Sequence, residues 1–442
     1  MDRLQPSPEW LVRLEPFRSL FTQPGFRFFC AFLLVLAHTE GRLWVTSVVL
    51  SGLVDRHFTR FYGFLRQGVW SVQAVGQQVA AQCLPLCLQT GGRLFAAVDD
   101  TVCQKRGPRF DSLGFHHDPM SRSPKRLSHG HCFVCLALLA ERSAGRFAAL
   151  FVSCALYVQE KVREEQARKQ AARQDRTAEP APVFQTKLAL AVGLIGQLAL
   201  PAGICLVAVA DGAYAKREFV GPVFAMGRHV LSRLRRDAVF YDFPPLVEQG
   251  AGRKAGRPRQ YGEKRKALDW AQEQAEPWQT LTLGLYGRSI TLQVKTREGI
   301  LRRLGAPARL VAVRWGERPV VFLFSTDRSM SAARIVQAFA ARFAIETGFR
   351  DAKQFFGLST YQVRRERSLL RLVHLCLWAQ TLMRLVFCNQ QPQPIYGRWR
   401  KPLEYLTLSQ QKRLSQVGCR ISERSMGALR NDEYQSAQAV AA

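Results

Sequence analysis

The 442-residue sequence predicts an α/β fold built on a mixed sheet. Two observations predict it. Between residues 94 and 212, buried-strand patterns and one apolar helix follow the order β-β-β-α-β. After a basic, partly β segment at 222–318, a further apolar strand and two long helical patterns follow. We therefore expect a helical N-terminal domain at 1–93, an α/β domain formed by 94–221 and 319–390, an insertion at 222–318, and a tail at 391–442.

The N-terminal domain carries apolar residues at helical spacing, as in "RFFCAFLLVLAHT" and "HFTRFYGFLRQ", with arginines between them. A small DNA-binding domain and an ordinary helical cap explain this pattern equally well.

Strands of the α/β domain are indicated by four apolar runs, "RLFAAVDDT", "HGHCFVCLALLA", "GRFAALFVSCALYV" and "GICLVAVADGAY". The segment "ERSAG" has the composition of a hairpin turn between the second and third. A charged stretch at 160–180 and an apolar helix at about 183–199 precede the fourth strand.

Later in the chain, "TLTLGLYGRSITLQVKT", "ARLVAVRW" and "PVVFLFSTD" predict further strands. One continuous helix is expected over about 331–356, and "SLLRLVHLCLWAQTLMRLVF" predicts a second helix packed behind it.

The charge balance points to a polyanionic partner. Lysine and arginine number 63 and acidic residues 34, which leaves a net charge of +29. Nucleic acid is the first expectation for a globular chain this basic, and a membrane surface is the alternative. The longest apolar run, residues 28–37, is shorter than the roughly 20 residues of a spanning helix. With no signal-peptide pattern and 11 scattered cysteines, a cytoplasmic, nucleoid-associated protein with reduced thiols is expected.

A single Cys-x-x-Cys motif, Cys132 to Cys135, lies in an apolar run with His129 and His131 nearby. Zinc is one interpretation, but one pair without a second favours a strand with buried thiols.

Two aspartates end apolar strands, Asp99 after the first and Asp211 after the fourth. Strand ends are where ligands collect in open sheets, and hard cations prefer oxygen ligands on a rigid frame. For each aspartate taken alone, a cap of the following turn is the favoured interpretation. Because strand side chains alternate, only one of Asp99 and Asp100 is expected to face the site. Asp99, on the face of Thr101, is favoured and Asp100 is the alternative.

A stripe of functional types runs along the predicted helix at 331–356. Phe339, Arg342, Glu346 and Lys353 are separated by 3, 4 and 7 positions. At roughly 100° per residue they lie within about 40° of one line, over about 21 Å. The plainer interpretation is a surface ion pair of Glu346 with Arg342 or Arg350.

The segment "FAARFAIETGFRDAK" fits the Tyr-(2)-Arg-(3)-Glu-(6)-Lys signature of DDE transposases of insertion-sequence family four, with Phe339 in place of tyrosine. The segments "AVDDT" and "VADGAY" resemble the two aspartate motifs of that family. The resemblance covers roughly residues 94–390. It implies an RNase H-like catalytic core, a five-stranded mixed sheet with helices, and a β-rich insertion between the second aspartate and the glutamate.

The resemblance also implies the chemistry. Asp99, Asp211 and Glu346 are expected to hold two Mg²⁺ ions, for which Mn²⁺ can substitute, and to cut and join DNA by in-line displacement at phosphorus. Arg342 and Lys353 are expected to hold phosphates. Lys105 is expected as a further DNA phosphate contact, and both Lys105 and Tyr214 as neighbours of the site. The expected partners are transposon ends and target DNA, bound by a homodimer or larger assembly.

Three alternatives stay open at this point. The chain can be a non-catalytic DNA-binding or architectural protein, a nuclease of the same fold without strand transfer, or a decayed transposase.

The basic segment "GRKAGRPRQYG", residues 252–262, has an Arg-Pro-Arg centre like that of an AT-hook. Such a segment lies in the narrow minor groove of A·T-rich DNA. A solvated loop is the plainer interpretation. Seven cations and one glutamate fall between Arg253 and Lys266, in the interval between the second and third acidic motifs. We therefore expect this segment to be an accessory DNA contact.

Replacing Arg257 and Arg259 with alanine should weaken DNA binding, because two minor-groove cations are lost. Anisotropy titrations against an A·T-rich duplex measure this loss. Mg²⁺-dependent chemistry on DNA that is already bound should be unchanged. Loss of chemistry with unchanged affinity would contradict the accessory role.

Overall fold

The computed structural model describes residues 6–38, 45–46, 57–107, 109–118, 121–172, 183–245 and 259–388. Its helices are Pro8–Leu14 (α1), Gln23–His38 (α2), Phe58–Gln67 (α3), Val72–Cys87 (α4), Glu160–Ala172 (α5), Lys187–Gln197 (α6), Arg217–Ala225 (α7), Ala267–Gln272 (α8), Ala332–Ala341 (α9), Phe343–Phe355 (α10) and Glu366–Val386 (α11). Short 3₁₀ helices span Glu15–Leu20 and Gly212–Tyr214. Arg257 and the tail at 391–442 lie outside the described residues.

One mixed sheet connects the strands. They are Leu88–Gln89 (β1), Arg93–Gln104 (β2), Gly114–His117 (β3), Leu127–Ser143 (β4), Arg146–Tyr157 (β5), Cys205–Ala210 (β6), His229–Leu234 (β7), Val239–Tyr241 (β8), Lys264–Lys266 (β9), Gln279–Leu285 (β10), Arg288–Leu301 (β11), Ala306–Arg314 (β12) and Val321–Ser325 (β13). The strands expected at 94–212 are thus present in the predicted order.

The centre of the sheet has the order β5-β4-β2-β6-β7. Strand β4 pairs antiparallel with β2 and β5, whereas β2, β6 and β7 run parallel. Antiparallel neighbours need only a hairpin, but parallel ones need crossovers, which α5, α6 and α7 supply. Three antiparallel strands followed by two parallel ones are consistent with the expected RNase H-like core.

Strand β7 was missed in the sequence and lies in the range assigned to the insertion. It pairs parallel with β6 and therefore belongs to the core sheet. On its other side it pairs antiparallel with β13, and β12 and β11 continue the sheet. The strands of the 222–318 segment therefore extend the core sheet and do not form a separate one.

The apolar runs form strands because they are covered on both faces. Every residue of β4 from Gly130 to Ala140 is buried, which is typical of a central strand. Both thiols of the Cys-x-x-Cys motif lie in this run, and neither forms a disulfide bond. The strand interpretation of the motif therefore holds.

Helix α11 is the central helix of the core. Its length and composition alone would allow a membrane span, which the sequence interpretation overlooked, but 89% of its apolar window is buried inside the protein. The N-terminal helices pack against it. Arg371 of α11 donates to the carbonyls of Phe64, Leu65 and Trp70, at 3.4, 3.1 and 3.0 Å, and so caps the end of α3. The N-terminal region thus shares the core of the α/β domain, and a DNA-binding role for it stays a prediction.

His374 joins α11 to β5. The Cys154 amide donates to His374 Nε2 at 3.0 Å, and His374 Nδ1 donates to the Leu370 carbonyl at 2.7 Å. The ring is therefore neutral. Burial lowers the pKa of His374 from 6.5 to about 4.

This arrangement predicts an acid-sensitive core. Because the folded pKa of His374 is depressed, its contribution to stability is present above pH 6.5 and is lost as the pH falls towards 4. The loss should reach about 3 kcal/mol in the free energy of unfolding. Urea unfolding at pH 7, 5.5 and 4.5 measures it in wild type and in His374→Gln, which should lose less. The exposed control His117→Gln should follow wild type. Equal pH dependence in wild type and His374→Gln would contradict the assignment.

Candidate active site

Strand register places the two predicted aspartates side by side. Val98 of β2 pairs with Ala210 of the parallel strand β6. Asp99 and Asp211 are the next residues on the two strands, which lie roughly 5 Å apart in any sheet. The two positions are therefore adjacent, as the motifs predicted, and Asp211 follows the end of β6. The expectation that Asp99 ends its strand is wrong, because β4 goes on pairing with β2 as far as Gln104 and Asp99 itself pairs with Cys135.

Local hydrogen bonds hold each aspartate. Asp99 Oδ1 accepts from the Asp100 amide at 2.8 Å. Asp211 caps the short 3₁₀ helix after β6, because its Oδ1 accepts from the Ala213 amide at 2.8 Å. Its carbonyl accepts from Ser232 Oγ of β7 at 2.7 Å. The capping interpretation is thus correct for Asp211 and is compatible with a role in the site.

Asp100 has a different set of partners. Its Oδ2 accepts from Lys187 Nζ of α6 at 2.7 Å and from Cys132 Sγ at 3.3 Å. Alternation along β2 turns it away from the face of Asp99. The structure thus favours Asp99 over the alternative Asp100.

The helix that carries Glu346 is interrupted. One continuous helix over 331–356 was expected, but α9 ends at Ala341 and α10 begins at Phe343. Arg342 between them keeps helical dihedral angles, and its amide bonds to the Phe339 carbonyl at 3.2 Å. A tight i→i+3 bond replaces the α-helical one and offsets the two helices at this residue.

Arg342 joins two of the three predicted acidic residues. Its Nη1 donates to Asp99 Oδ2 at 3.0 Å and its Nη2 donates to Glu346 Oε1 at 2.8 Å. The side chains of Arg342 and Asp99 are 16% and 19% exposed, whereas that of Glu346 is 42% exposed. The Arg342–Glu346 pair expected as a surface contact is therefore one half of a bridge to β2.

Close packing sets the position of α10. A Cβ atom on Gly348 would lie 2.7 Å from Phe151 of β5, so only glycine allows this approach. The Gly348 carbonyl accepts from Gln380 of α11 at 3.1 Å. Two residues before it, Glu346 is thereby held beside the sheet.

The two predicted lysines differ in accessibility. Lys353 Nζ donates to the Val102 carbonyl at 2.8 Å, which places the end of the helical stripe along β2. Lys105 is buried, and its Nζ donates to the carbonyls of Ser359 and Tyr361 at 2.8 and 2.7 Å. These bonds fix Lys105 inside the protein, so the predicted phosphate contact is not favoured for it.

Tyr214 lies beneath the aspartates. Its ring is buried, and its hydroxyl finds no hydrogen-bond partner among the residues that the structure describes. Burial, together with the nearby Asp100 and Asp99, raises its pKa. Its expected position as a neighbour of the site is thus consistent with the structure.

Tyr286 was not singled out in the sequence. It lies at the tip of the β10–β11 hairpin with φ +54°, and Gly287 follows with φ +73°, as a type I′ turn requires. Its ring is 6.3 Å from that of exposed Phe343, and burial raises its pKa, with Arg342 and Glu346 close enough to act on it. The hairpin signal "LYGR" between two strands was readable. The contact with a helix more than 50 residues later was not.

Desolvation dominates the electrostatics of Asp99. Burial raises its pKa from 3.8 to about 7, against the opposing effects of Arg342 and of the Asp100 amide. Asp100 and Asp211 raise it further through like charge. An aspartate this costly to ionise, in a position with no packing role, is typical of a functional site.

The donor set has the chemistry of a Mg²⁺ site, but its arrangement does not fit a bound ion. Carboxylate oxygens are the ligands that Mg²⁺ prefers. Within the described ranges, no group of three or more His, Cys, Asp or Glu side chains is placed to hold a metal ion. Arg342 is instead bonded to both Asp99 and Glu346. The same observation gives no support to zinc at the Cys-x-x-Cys motif.

A family model described as "DDE superfamily endonuclease" matches residues 21–303. The chain belongs to the DDE superfamily endonuclease family. The match includes Asp99 and Asp211 and ends before Glu346, so a role for Glu346 in the site stays a prediction. No curated protein matches the chain. A cryo-EM structure of a piggyBac transposase synaptic complex with hairpin DNA is similar at 10% identity and a TM-score of 0.39, over 95% of this chain and 76% of that one.

The raised pKa of Asp99 predicts that ionisation of this side chain destabilises the folded protein. Because the folded pKa is above the unfolded one, the contribution of Asp99 to stability is full below pH 3.8 and declines as the pH rises to about 7. The free energy of unfolding of Asp99→Asn, relative to that of wild type, should therefore increase by about 2 kcal/mol from pH 5 to pH 8. Urea unfolding in EDTA at both values measures this gain. Asp237→Asn, on an exposed surface pair, should gain nothing. A constant difference between Asp99→Asn and wild type would refute the prediction.

Proposed function

We propose that this chain is a transposase that cleaves DNA at the ends of a mobile element and transfers those ends into target DNA. The observation that carries the proposal is the meeting of Asp99, Asp211 and Glu346. Asp99 and Asp211 directly follow the paired residues Val98 and Ala210 of adjacent parallel strands, and Arg342 bonds to both Asp99 and Glu346. The endonuclease family supports DNA cleavage, and the Arg-Glu-Lys spacing supports the insertion-sequence-family-four type.

The cofactor we propose is a pair of Mg²⁺ ions, with Mn²⁺ as a substitute, in keeping with the divalent metals typical of this family. Phosphoryl transfer depends mainly on positioning and on stabilising charge. Arg342 and Lys353, on the stripe along β2, are the cations we propose for the phosphates beside the reacting bond. Phe339 keeps the ring of the signature tyrosine, with the Arg342 guanidinium 6.0 Å from its centre.

The substrate we propose is duplex DNA carrying terminal inverted repeats. The net charge of +29 supports a polyanion as partner. A cavity of about 750 Å³ at the end of β2 is lined by Arg106 and Arg122, both exposed, and by Gln104. This cavity is a second candidate DNA contact. Arg259 of the hook segment is exposed as well. Action as a homodimer or larger assembly, associated with the nucleoid, remains part of the proposal.

The test uses the full chain, Mg²⁺ and a duplex ending in the inverted repeats that flank the coding region. Wild type should nick the repeat end and join it to a target plasmid. Asp99→Ala, Asp211→Ala and Glu346→Ala should each lose at least about 100-fold in cleavage rate, as when a charge-stabilising group is removed from an active site. Denaturing gels measure both products.

Asp100→Asn is the matched control, because it neutralises the adjacent carboxylate that faces Lys187. It should retain cleavage, and its melting temperature shows whether the fold survives. Cleavage without joining would instead identify a nuclease. Binding without cleavage, unaffected by the three alanine changes, would identify an architectural protein.

A further inference from the structure

Arg342 has little freedom left in this arrangement. Both terminal nitrogens of its guanidinium donate to carboxylates, and its Nε is buried without a partner in the part of the chain that the structure describes. Planar guanidinium groups bind carboxylates and phosphates by the same paired geometry. Arg342 can therefore hold these carboxylates or a DNA phosphate, but not both through the same two nitrogens.

The bridge also bears on metal binding. Asp99 Oδ2 and Glu346 Oε1 accept from Arg342 at 3.0 and 2.8 Å, and both residues belong to the proposed ligand set. A guanidinium between two ionised carboxylates compensates one of their two negative charges and repels a second cation. In this arrangement Asp99 and Glu346 are paired with a cation of the protein itself, although carboxylates are the ligands that Mg²⁺ prefers.

We propose that Arg342 is a displaceable counter-cation that lowers the metal affinity of the DNA-free protein and is drawn off the carboxylates by a DNA phosphate. This inference rests on the proposed function and adds a form of regulation to it. DNA and divalent metal then bind cooperatively, and by linkage each strengthens the binding of the other. The site therefore has a low metal affinity until DNA binds, which limits metal-dependent chemistry in the absence of correctly bound DNA.

The test is Mn²⁺ titration by calorimetry at pH 8 without DNA. Arg342→Gln should bind Mn²⁺ about tenfold more tightly than wild type, within the usual range of such couplings. Arg342→Lys, which keeps the charge but not the paired geometry, should fall between them. Arg350→Gln is the matched control, since Arg350 lies on the same helix, is 70% exposed and is paired with Asp351. It should bind Mn²⁺ as wild type does.

Two further measurements guard against misfolding and against binding elsewhere. Mn²⁺ should raise the melting temperature of Arg342→Gln more than that of wild type, which requires a folded variant. Adding Asp99→Asn to Arg342→Gln should abolish the gain in affinity. Unchanged or weaker Mn²⁺ binding in Arg342→Gln, or a gain that persists in the double variant, would overturn the inference.

Cooperativity is read from DNA anisotropy at constant ionic strength. Mn²⁺ should strengthen DNA binding by wild type and by Arg350→Gln about tenfold, and that by Arg342→Gln much less. An equal effect on all three proteins would overturn the coupling. If wild type cleaves DNA but Arg342→Gln binds Mn²⁺ no more tightly than wild type, this inference fails and the proposed function stands. Absence of cleavage and joining by wild type defeats the proposed function, and the Mn²⁺ titration still decides the role of Arg342.

Discussion

Parallel pairing of β2 with β6 is the constraint on which the site depends. Leu94 to Val98 of β2 and Leu206 to Ala210 of β6 are apolar and buried, so the register of the two strands is fixed by the core and not by the aspartates. A slip of one residue would turn the buried faces outwards and separate Asp99 from Asp211. The cost of placing acidic groups together is thus met by hydrophobic burial along the strands. The packing of the core thus fixes the positions of the two aspartates, whereas the core does not depend on the aspartates for its packing.

The segment between the second and third acidic residues extends this frame. Strands β11 to β13 continue the sheet beyond β7, and the β10–β11 hairpin turns back towards the active site. The hairpin meets the β4–β5 turn, where Gly145 and Gly284 pack backbone against backbone. The insertion therefore supplies a wall of the site, with Tyr286 at its edge. A separately folded DNA-binding module would not hold a side chain so close to Arg342 and Glu346.

The sequence predicted what depends on local pattern. Continuous apolar runs marked the central strands, and alternation along β2 separated Asp99 from Asp100. Strand β7 was missed because His229, Ser232 and Arg233 interrupt its apolar pattern. The helix break at Arg342 was missed because the residues around it all favour a helix. The bridge from Arg342 to Asp99 spans 243 positions, and no spacing rule reaches that far. Lys105 shows the same limit, since its burial depends on Ser359 and Tyr361.

In the free protein, the Asp99 and Glu346 carboxylates of the site are paired with Arg342. Asp99 is costly to ionise, and Arg342 offsets that cost only in part, because the pKa remains raised. Replacing one cation by another at these oxygens is easier than leaving the buried Asp99 carboxylate without a cation. A phosphate that takes Arg342 leaves two carboxylates in need of a cation. In the proposed mechanism, Arg342 holds Asp99 and Glu346 together in the free protein, and its displacement by DNA raises the metal affinity of these two carboxylates.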